Sequence, residues 1–273
     1  MQNLDTHFME TVSRHVQSVA QSLLRQFETG TPVQAIEQMF QAFQTIDDAA
    51  SEQLRQALAQ DFPDIAWLEG EFELAPTAAL DHGDYWICDA IDGAVQFLRG
   101  LPYWCVALTL LRNGEPVLAI VHDPVHQEIF HAIRGQGAYL NGEAIHVNQQ
   151  SSYRDAILAT SQPPFIARQP WAIPAAGAAL QAFLPEALAI RNLGPTALQL
   201  AYVACGRLDG FWQFGQDGFN CLGAGFIVRE AGGLCTDVHG RAYQRLSSSL
   251  VAAPPATHAS LLEKLASLSL ALP

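Results

Sequence analysis

The chain has 273 residues, 49% of them hydrophobic, which is enough to fold around a sizeable core. Fourteen basic against 27 acidic side chains give a formal net charge of −13, and the basic residues are scattered. This balance argues against nucleic acid or an anionic membrane as a partner. No N-terminal apolar run has the length of a signal peptide or membrane span, and the five cysteines lack metal-type spacing. We therefore expect reduced cysteines and a cytoplasmic protein.

Helices are predicted to dominate the first quarter of the chain. Apolar residues recur at helical spacing over residues 5–28 and again over 47–62, with a less regular stretch after Thr31. Asp47 and Asp48 would then stand at the start of the second helix, where Asp is a favoured N-cap residue. A helix cap and a functional carboxylate are both open interpretations of this pair.

The period changes to that of strands between Tyr85 and Val147, which predicts an antiparallel meander. A hairpin turn is predicted at Asn113-Gly114. The predicted strands are 86–88, 104–111, 117–121 and 128–132.

Strands and helices alternate in the second half of the chain. The strands are predicted near 156–160, 187–191, 210–214 and 234–238, and the helices near 174–184, 196–205, 222–231 and 259–270. The whole order predicts an α/β fold, a layered α-β-α-β-α sandwich with a large antiparallel sheet followed by a smaller mixed sheet. We expect one compact unit, with residues 1–147 forming the N-terminal helices and large sheet and residues 148–273 the C-terminal α/β half.

An apolar strand ends on two acidic residues, Asp89 and Asp92, which are followed by Gly93. Two converging carboxylates repel each other unless a cation binds both, so this pattern indicates a divalent metal site. Asp-Gly is also a common turn, which is the alternative interpretation.

Two more polar clusters flank this strand in the sequence. Upstream, Glu69-Gly70-Glu71 follows an apolar pair. Downstream, Asp217 and Asn220 precede a small-residue helix that ends in Glu230-Ala231-Gly232-Gly233. Asn220 is either a helix cap or a metal ligand.

Together these motifs resemble those of the inositol monophosphatase family of Mg²⁺-dependent, lithium-sensitive phosphatases. The family's first signature, Asp-Pro-Ile/Leu-Asp-Gly-Thr-x-Asn-Phe, is matched by Asp89-Ala90-Ile91-Asp92-Gly93-Ala94-Val95-Gln96-Phe97. Its second runs from Trp-Asp to Glu-Ala-Gly-Gly and is matched from Phe219-Asn220 to Gly232-Gly233. Gly70-Glu71 matches an upstream Gly-Glu pair.

The resemblance implies the family's sugar-phosphatase-type sandwich and a Mg²⁺-dependent phosphomonoesterase that acts on a small phosphorylated metabolite. It also implies a homodimer. The implied metal ligands are Glu71, Asp89, the carbonyl of Ile91, Asp92 and Asn220. Asp48 matches a helper acid, and Glu71 and Asp48 would be catalytic. Phosphate would bind at Gly93 and Ala94, and substrate at Arg191, Gln213 and Asp217.

Two departures from the signatures bear on catalysis. Ala94 replaces a threonine that helps to position the attacking water, and a methyl group makes no hydrogen bond. Asn220 replaces an aspartate and offers an oxygen without the charge. Loss of one positioned catalytic hydrogen bond commonly costs about 10²–10³ in rate. A catalytically impaired member that binds a phosphorylated ligand or partner is therefore the alternative function.

Overall fold

The computed structural model describes residues 4–30, 32–33, 35–68, 82–268 and 272, without the side chains of Ile36 and Glu37. Two long helices open the chain: α1 (Thr6–Thr29) and α2 (Ile36–Asp61). The carboxylate of Asp5 caps α1 by accepting the N–H of Phe8 at 2.9 Å. Because α2 begins at Ile36 and not near Asp47, the helix-cap interpretation of Asp47 and Asp48 is wrong.

The large sheet has seven strands in sequence order. Its first strand is parallel to the second, and all later pairs are antiparallel, so the predicted meander is confirmed. The turn at Asn113 and Gly114 has positive φ at both residues, as a tight hairpin requires. The strands are β1 (Ala66–Trp67), β2 (Asp84–Asp92), β3 (Cys105–Arg112), β4 (Glu115–Asp123), β5 (Glu128–Ile133), β6 (Ala138–Leu140) and β7 (Glu143–Ile145).

The smaller sheet is mixed and has five strands in the order β11-β12-β10-β8-β9. Its strands are β8 (Ile157–Ser161), β9 (Ala189–Arg191), β10 (Gly210–Phe214), β11 (Leu234–Thr236) and β12 (Ser249–Ala253). β8 is parallel to β9 and β10, whereas β12 is antiparallel to β10 and β11. β12 in this sheet, like β6 and β7 in the larger one, is a strand that the sequence pattern did not predict.

The remaining helices complete the layers: α3 (Ala94–Arg99), α4 (Ala172–Phe183), α5 (Thr196–Ala204), α6 (Gly218–Glu230) and α7 (Pro255–Ala266). α1 and α2 pack on one face of the large sheet, α5 and α6 fill the space between the sheets, and α4 and α7 cover the smaller sheet. The predicted α-β-α-β-α sandwich is thus confirmed. α6 approaches β3 so closely that a methyl group at Gly223 would overlap Thr109 Oγ1.

The core between the sheets draws on both halves of the chain, for example Phe130 from the first and Leu200 from the second. The division at residue 147 stays a prediction. All five cysteines lie in the described part of the chain and form no disulfide. None of the described helices is long and apolar enough to cross a bilayer.

Candidate metal and phosphate site

A bulge at the end of β2 brings Asp89 and Asp92 to one cavity. Residues three apart on a regular strand point to opposite faces. Here the register against β3 shifts between them: Asp89 pairs with Ala107, and Asp92 pairs with Cys105. The extra residue restores a common face, and both carboxylates, each buried, line the same cavity.

Asp92 also caps a helix from a distance. Its carboxylate accepts the N–H of Ala197 at 2.7 Å and that of Thr196 at 3.3 Å, at the start of α5. Pro195, which precedes this helix, has no side chain that could do so. Burial raises the pKa of Asp92 to about 7, the Ala197 N–H opposes the shift, and the nearby charge of Asp217 adds to it. A cation at this carboxylate would reverse that shift.

A polar network joins the end of β10 to the start of α5 and α6. The amide of Gln213 donates to Asp217 Oδ2 at 2.8 Å, and the Thr196 hydroxyl donates to Ser161 Oγ at 3.0 Å. The amide of Asn220 donates to Asp217 Oδ1 at 2.9 Å. Burial raises the pKa of Asp217, which these donors oppose.

Asn220 leaves one polar atom unsatisfied. Its Oδ1 is buried and has no hydrogen-bond partner among the described residues. A buried acceptor without a partner is costly unless something absent from the protein chain satisfies it. Asn220 lines the same cavity as Asp89 and Asp92. An unpaired oxygen beside two buried carboxylates fits a hard divalent cation such as Mg²⁺.

The donor set is incomplete in the described part of the chain. No group of three His, Cys, Asp or Glu side chains within it is arranged to hold a metal ion. The third side-chain donor there is an amide, and the predicted ligand Glu71 lies outside the described residues. The Ile91 carbonyl and the side chains of Glu71, Asp89, Asp92 and Asn220 all remain predicted metal ligands.

Gly93 shapes the turn that follows the acidic pair. Its φ of 99° lies in the left-handed region, and a methyl group there would lie 2.8 Å from the Tyr103 carbonyl oxygen. The first N–H bonded within α3 is that of Phe97, to the Gly93 carbonyl. The N–H groups before it are the predicted phosphate donors, and both Gly93 and Ala94 line the cavity.

The structure brings Asp47 rather than Asp48 to this region. Asp48 is exposed, whereas Asp47 Oδ1 is buried without a hydrogen-bond partner among the described residues. Burial raises the pKa of Asp47 to about 7, the neighbouring Asp48 charge adds to the shift, and the Ile91 N–H opposes it. Asp48 as helper acid stays a prediction, and the buried member of the pair is Asp47. Helical spacing from Phe43 and Leu54 would have identified it.

The cavity has a volume of about 850 Å³ and joins the acidic end of β2 to an apolar wall. Of the predicted substrate residues, Gln213 and Asp217 lie in the buried network and Arg191 is exposed, with its guanidinium donating to the Ile190 carbonyl. None of the three is among the residues that line the cavity, which include Ser161 and Thr196. Sequence reasoning missed these two hydroxyls, although each stands at an element end.

Comparisons with known proteins identify the family of this chain. Residues 5–270 match the model of the inositol monophosphatase family. Nus factor SuhB of Haemophilus influenzae is 33% identical over 224 residues, which are 81% of this chain and 80% of that protein. Nus factor SuhB of Escherichia coli K12 is 32% identical over 237 residues, or 85% of this chain and 86% of that protein.

Solved structures show the same fold. The extragenic suppressor protein SuhB from Bartonella henselae has a TM-score of 0.80 at 25% identity, covering 96% of this chain and 99% of that one. The Thermotoga maritima IMPase has a TM-score of 0.75 at 26% identity, covering 96% and 97%. These matches confirm the predicted resemblance and fold class.

Proposed function

Because the chain belongs to the inositol monophosphatase family, we propose that it is a Mg²⁺-dependent phosphomonoesterase that acts on a small phosphorylated metabolite. One observation carries the proposal: the bulge in β2 turns two buried carboxylates into the cavity that Asn220 Oδ1, unpaired among the described residues, also borders. An acidic chain of net charge −13 that binds an anionic ester needs a cation between the two.

In this proposal Asp89, Asp92, Asn220, the Ile91 carbonyl and Glu71 hold the metal. Bound Mg²⁺ would supply an activated water and neutralise charge on the phosphoryl oxygens. The chain's own part is positioning. Asp92 is fixed by two backbone N–H groups of α5, so its carboxylate is held in place before the substrate arrives.

Asp47 is the proposed proton acceptor of the attacking water. Its pKa of about 7 suits a general base that works near neutral pH. The phosphate oxygens would accept hydrogen bonds from the backbone N–H groups at the start of α3, beside Gly93 and Ala94. Ala94 cannot hold the water by a side-chain hydrogen bond, so Asp47 and Glu71 act without that help.

A second candidate function rests on the same two substitutions. Ala94 and Asn220 weaken the water site and the metal charge, which favours a protein that binds a phosphorylated ligand or partner without efficient turnover. Curated relatives that are named as factors and not as phosphatases agree with it. We rank hydrolysis first because four acidic residues that match the family pattern are present together: Asp48, Glu71, Asp89 and Asp92.

Phosphate release with Mg²⁺ separates the two functions. The panel comprises inositol phosphates, 3′-phosphoadenosine 5′-phosphate, fructose bisphosphate and other sugar phosphates. Turnover by the unmodified chain that Asp92→Asn abolishes supports the phosphatase. Absence of turnover on every ester, with a large gain in Ala94→Thr plus Asn220→Asp, would support the binding protein instead.

The remaining expectations belong to the same proposal. We propose that the protein is a cytoplasmic homodimer without a nucleic acid or membrane partner. The cysteine pattern favours the compartment, the resemblance favours the dimer, and the net charge argues against those two partners. Size-exclusion chromatography with light scattering tests the dimer.

A further inference from the structure

The cavity that begins at Asp89 and Asp92 ends in an apolar wall. The wall is formed by side chains from α2 and from the segment after β8: Met39, Phe40, Phe43, Pro163, Phe165 and Ile166. Phe40 is 51% exposed and Phe165 is 41% exposed. Their rings stand nearly edge to face, with centroids 6.3 Å apart and planes at 67°. We call these two residues the aromatic pair.

Phe165 is held in place by its neighbours. Its φ of 52° lies in the left-handed region, which is unusual for a bulky side chain. The Arg168 guanidinium lies 4.5 Å from the ring centroid. Gln169 binds Gln216 twice, donating to its carbonyl at 3.1 Å and accepting its N–H at 2.7 Å. An exposed aromatic ring on a strained, anchored backbone is an outlier of the kind that clusters at ligand sites.

The segment is also seated tightly on the smaller sheet. Gly215, at the end of β10, has a φ of 111°, and a methyl group there would overlap the Pro163 ring. The wall therefore stands at a fixed place relative to the acidic end of the cavity, because Gly215 and Gln216 directly precede Asp217.

We propose that the leaving group of the substrate carries a flat aromatic group, which packs against the exposed faces of the aromatic pair while its phosphate lies at Asp89 and Asp92. This proposal rests on the proposed function. A polyol packed on these six apolar side chains would lose water from its hydroxyls without regaining hydrogen bonds from them, which is unfavourable. An aromatic ring would bury the exposed faces of Phe40 and Phe165 and gain ring–ring contact.

Hydrolysis of benzyl phosphate and of glycerol 2-phosphate with Mg²⁺ tests the proposal. Both esters release an alcohol, so leaving-group reactivity differs little. The variants are Phe40→Ala, which keeps the helix, and Phe165→Asn, since Asn tolerates positive φ. Ile173→Ala is the matched control, because Ile173 is an exposed apolar residue of α4 outside the cavity lining.

We expect the ratio of kcat/KM for benzyl phosphate over glycerol 2-phosphate to exceed one in the unmodified chain. Each aromatic-pair variant should lower that ratio about 3- to 10-fold, the usual worth of one aromatic contact, and Ile173→Ala should leave it unchanged. A ratio that neither variant lowers overturns the aromatic leaving group.

Failure of the proposed function is distinguishable from failure of this inference. If neither ester is hydrolysed, calorimetry with Mg²⁺ compares benzylphosphonate with methylphosphonate. Tighter binding of benzylphosphonate that Phe40→Ala and Phe165→Asn reduce supports the aromatic site in a protein without turnover. Equal affinity for the two phosphonates overturns it.

Discussion

Ala94 borders the cavity at the first position of α3, where the family signature carries a threonine hydroxyl. Asn220 borders it from the first turn of α6, where the signature carries a carboxylate. Neither change disturbs the backbone: α3 and α6 both form, and the amide of Asn220 still donates to Asp217. Both residues are thus compatible with the fold, and under the proposed function the two substitutions would act on its chemistry.

Restoring the hydroxyl should raise turnover. We expect Ala94→Thr to increase kcat up to about 100-fold, since a positioned hydrogen bond to the reacting water is worth that much in other enzymes. Steady-state phosphate release measures it. Ala94→Val has the same shape without the hydroxyl and should give no gain; a gain in both variants would show that side-chain size is what matters.

Restoring the carboxylate should strengthen metal binding at a cost in the metal-free protein. Asn220→Asp would place a second carboxylate within hydrogen-bond distance of Asp217, where like charges repel. We expect the Tm without Mg²⁺ to fall and the Mg²⁺ affinity to rise about 10-fold. Thermal unfolding with and without Mg²⁺ measures both. If the Mg²⁺ concentration that gives half of the rise in Tm is the same in both proteins, Asn220 is not a ligand.

At the scale of single elements, the site depends on how β2 ends. The bulge aligns Asp89 with Asp92, and Gly93 then turns the chain into α3. The two aspartates and the glycine in the sequence were enough to predict where β2 ends. The bulge could not be predicted in this way, because a register shift arises from the pairing of β2 with β3 and not from β2 alone.

Gly93→Ala should lower the free energy of unfolding by more than the cost of placing an alanine at positive φ. The left-handed conformation costs an alanine about 1–2 kcal/mol. Gly142 shares positive φ, but no atom of the described residues lies within 4 Å of the added methyl group, so Gly142→Ala measures that cost alone. Because the methyl group at Gly93 meets the Tyr103 carbonyl, we expect about 2 kcal/mol more loss of unfolding free energy there. Urea unfolding compares the two; equal losses would contradict the clash.

The same limit explains what the sequence missed elsewhere. The start of α2 was misplaced because Met39, Phe40 and Phe43 follow the helical spacing but stand in a stretch of weak overall pattern. β12 was missed because its five residues are all buried and show no alternation. The contact between Phe40 and Phe165 joins distant segments, and no local pattern encodes it.

At the scale of the whole molecule, one core between the sheets holds the site's elements together. α5 and α6 lie in this layer, and their first turns carry Thr196 and Asn220 to the end of β2. The layer order follows from local periodicity and could be predicted. β2, α5 and α6 meet at one cavity because of tertiary packing. Local sequence patterns do not predict this meeting, and only the family signatures did.

Histidines packed on the large sheet should make the fold sensitive to acid. His131 stacks on Tyr139 at 5.3 Å, its Nδ1 is buried without a partner among the described residues, and burial lowers its pKa. The unfolded chain therefore binds a proton near pH 6.5 that the native state resists, so stability falls as pH drops below that value.

His131→Phe keeps a flat ring and removes the titration. We expect this variant to lose less unfolding free energy than the unmodified chain between about pH 7.5 and about pH 5.5. Denaturant unfolding at both pH values measures the difference. Parallel losses in the two proteins would show that His131 contributes nothing to acid sensitivity.

The central claim is that the bulged end of β2 serves Mg²⁺-dependent hydrolysis, and phosphate release by strand variants tests it most directly. Asp89→Asn changes the site, whereas Asp84→Asn changes the same residue type at the far end of β2, where Asp84 pairs with Arg112 at 2.8 Å. We predict Mg²⁺-dependent release that Asp89→Asn lowers about 100-fold or more and Asp84→Asn leaves within about 3-fold. Equal activity of Asp89→Asn and the unmodified chain would contradict the claim.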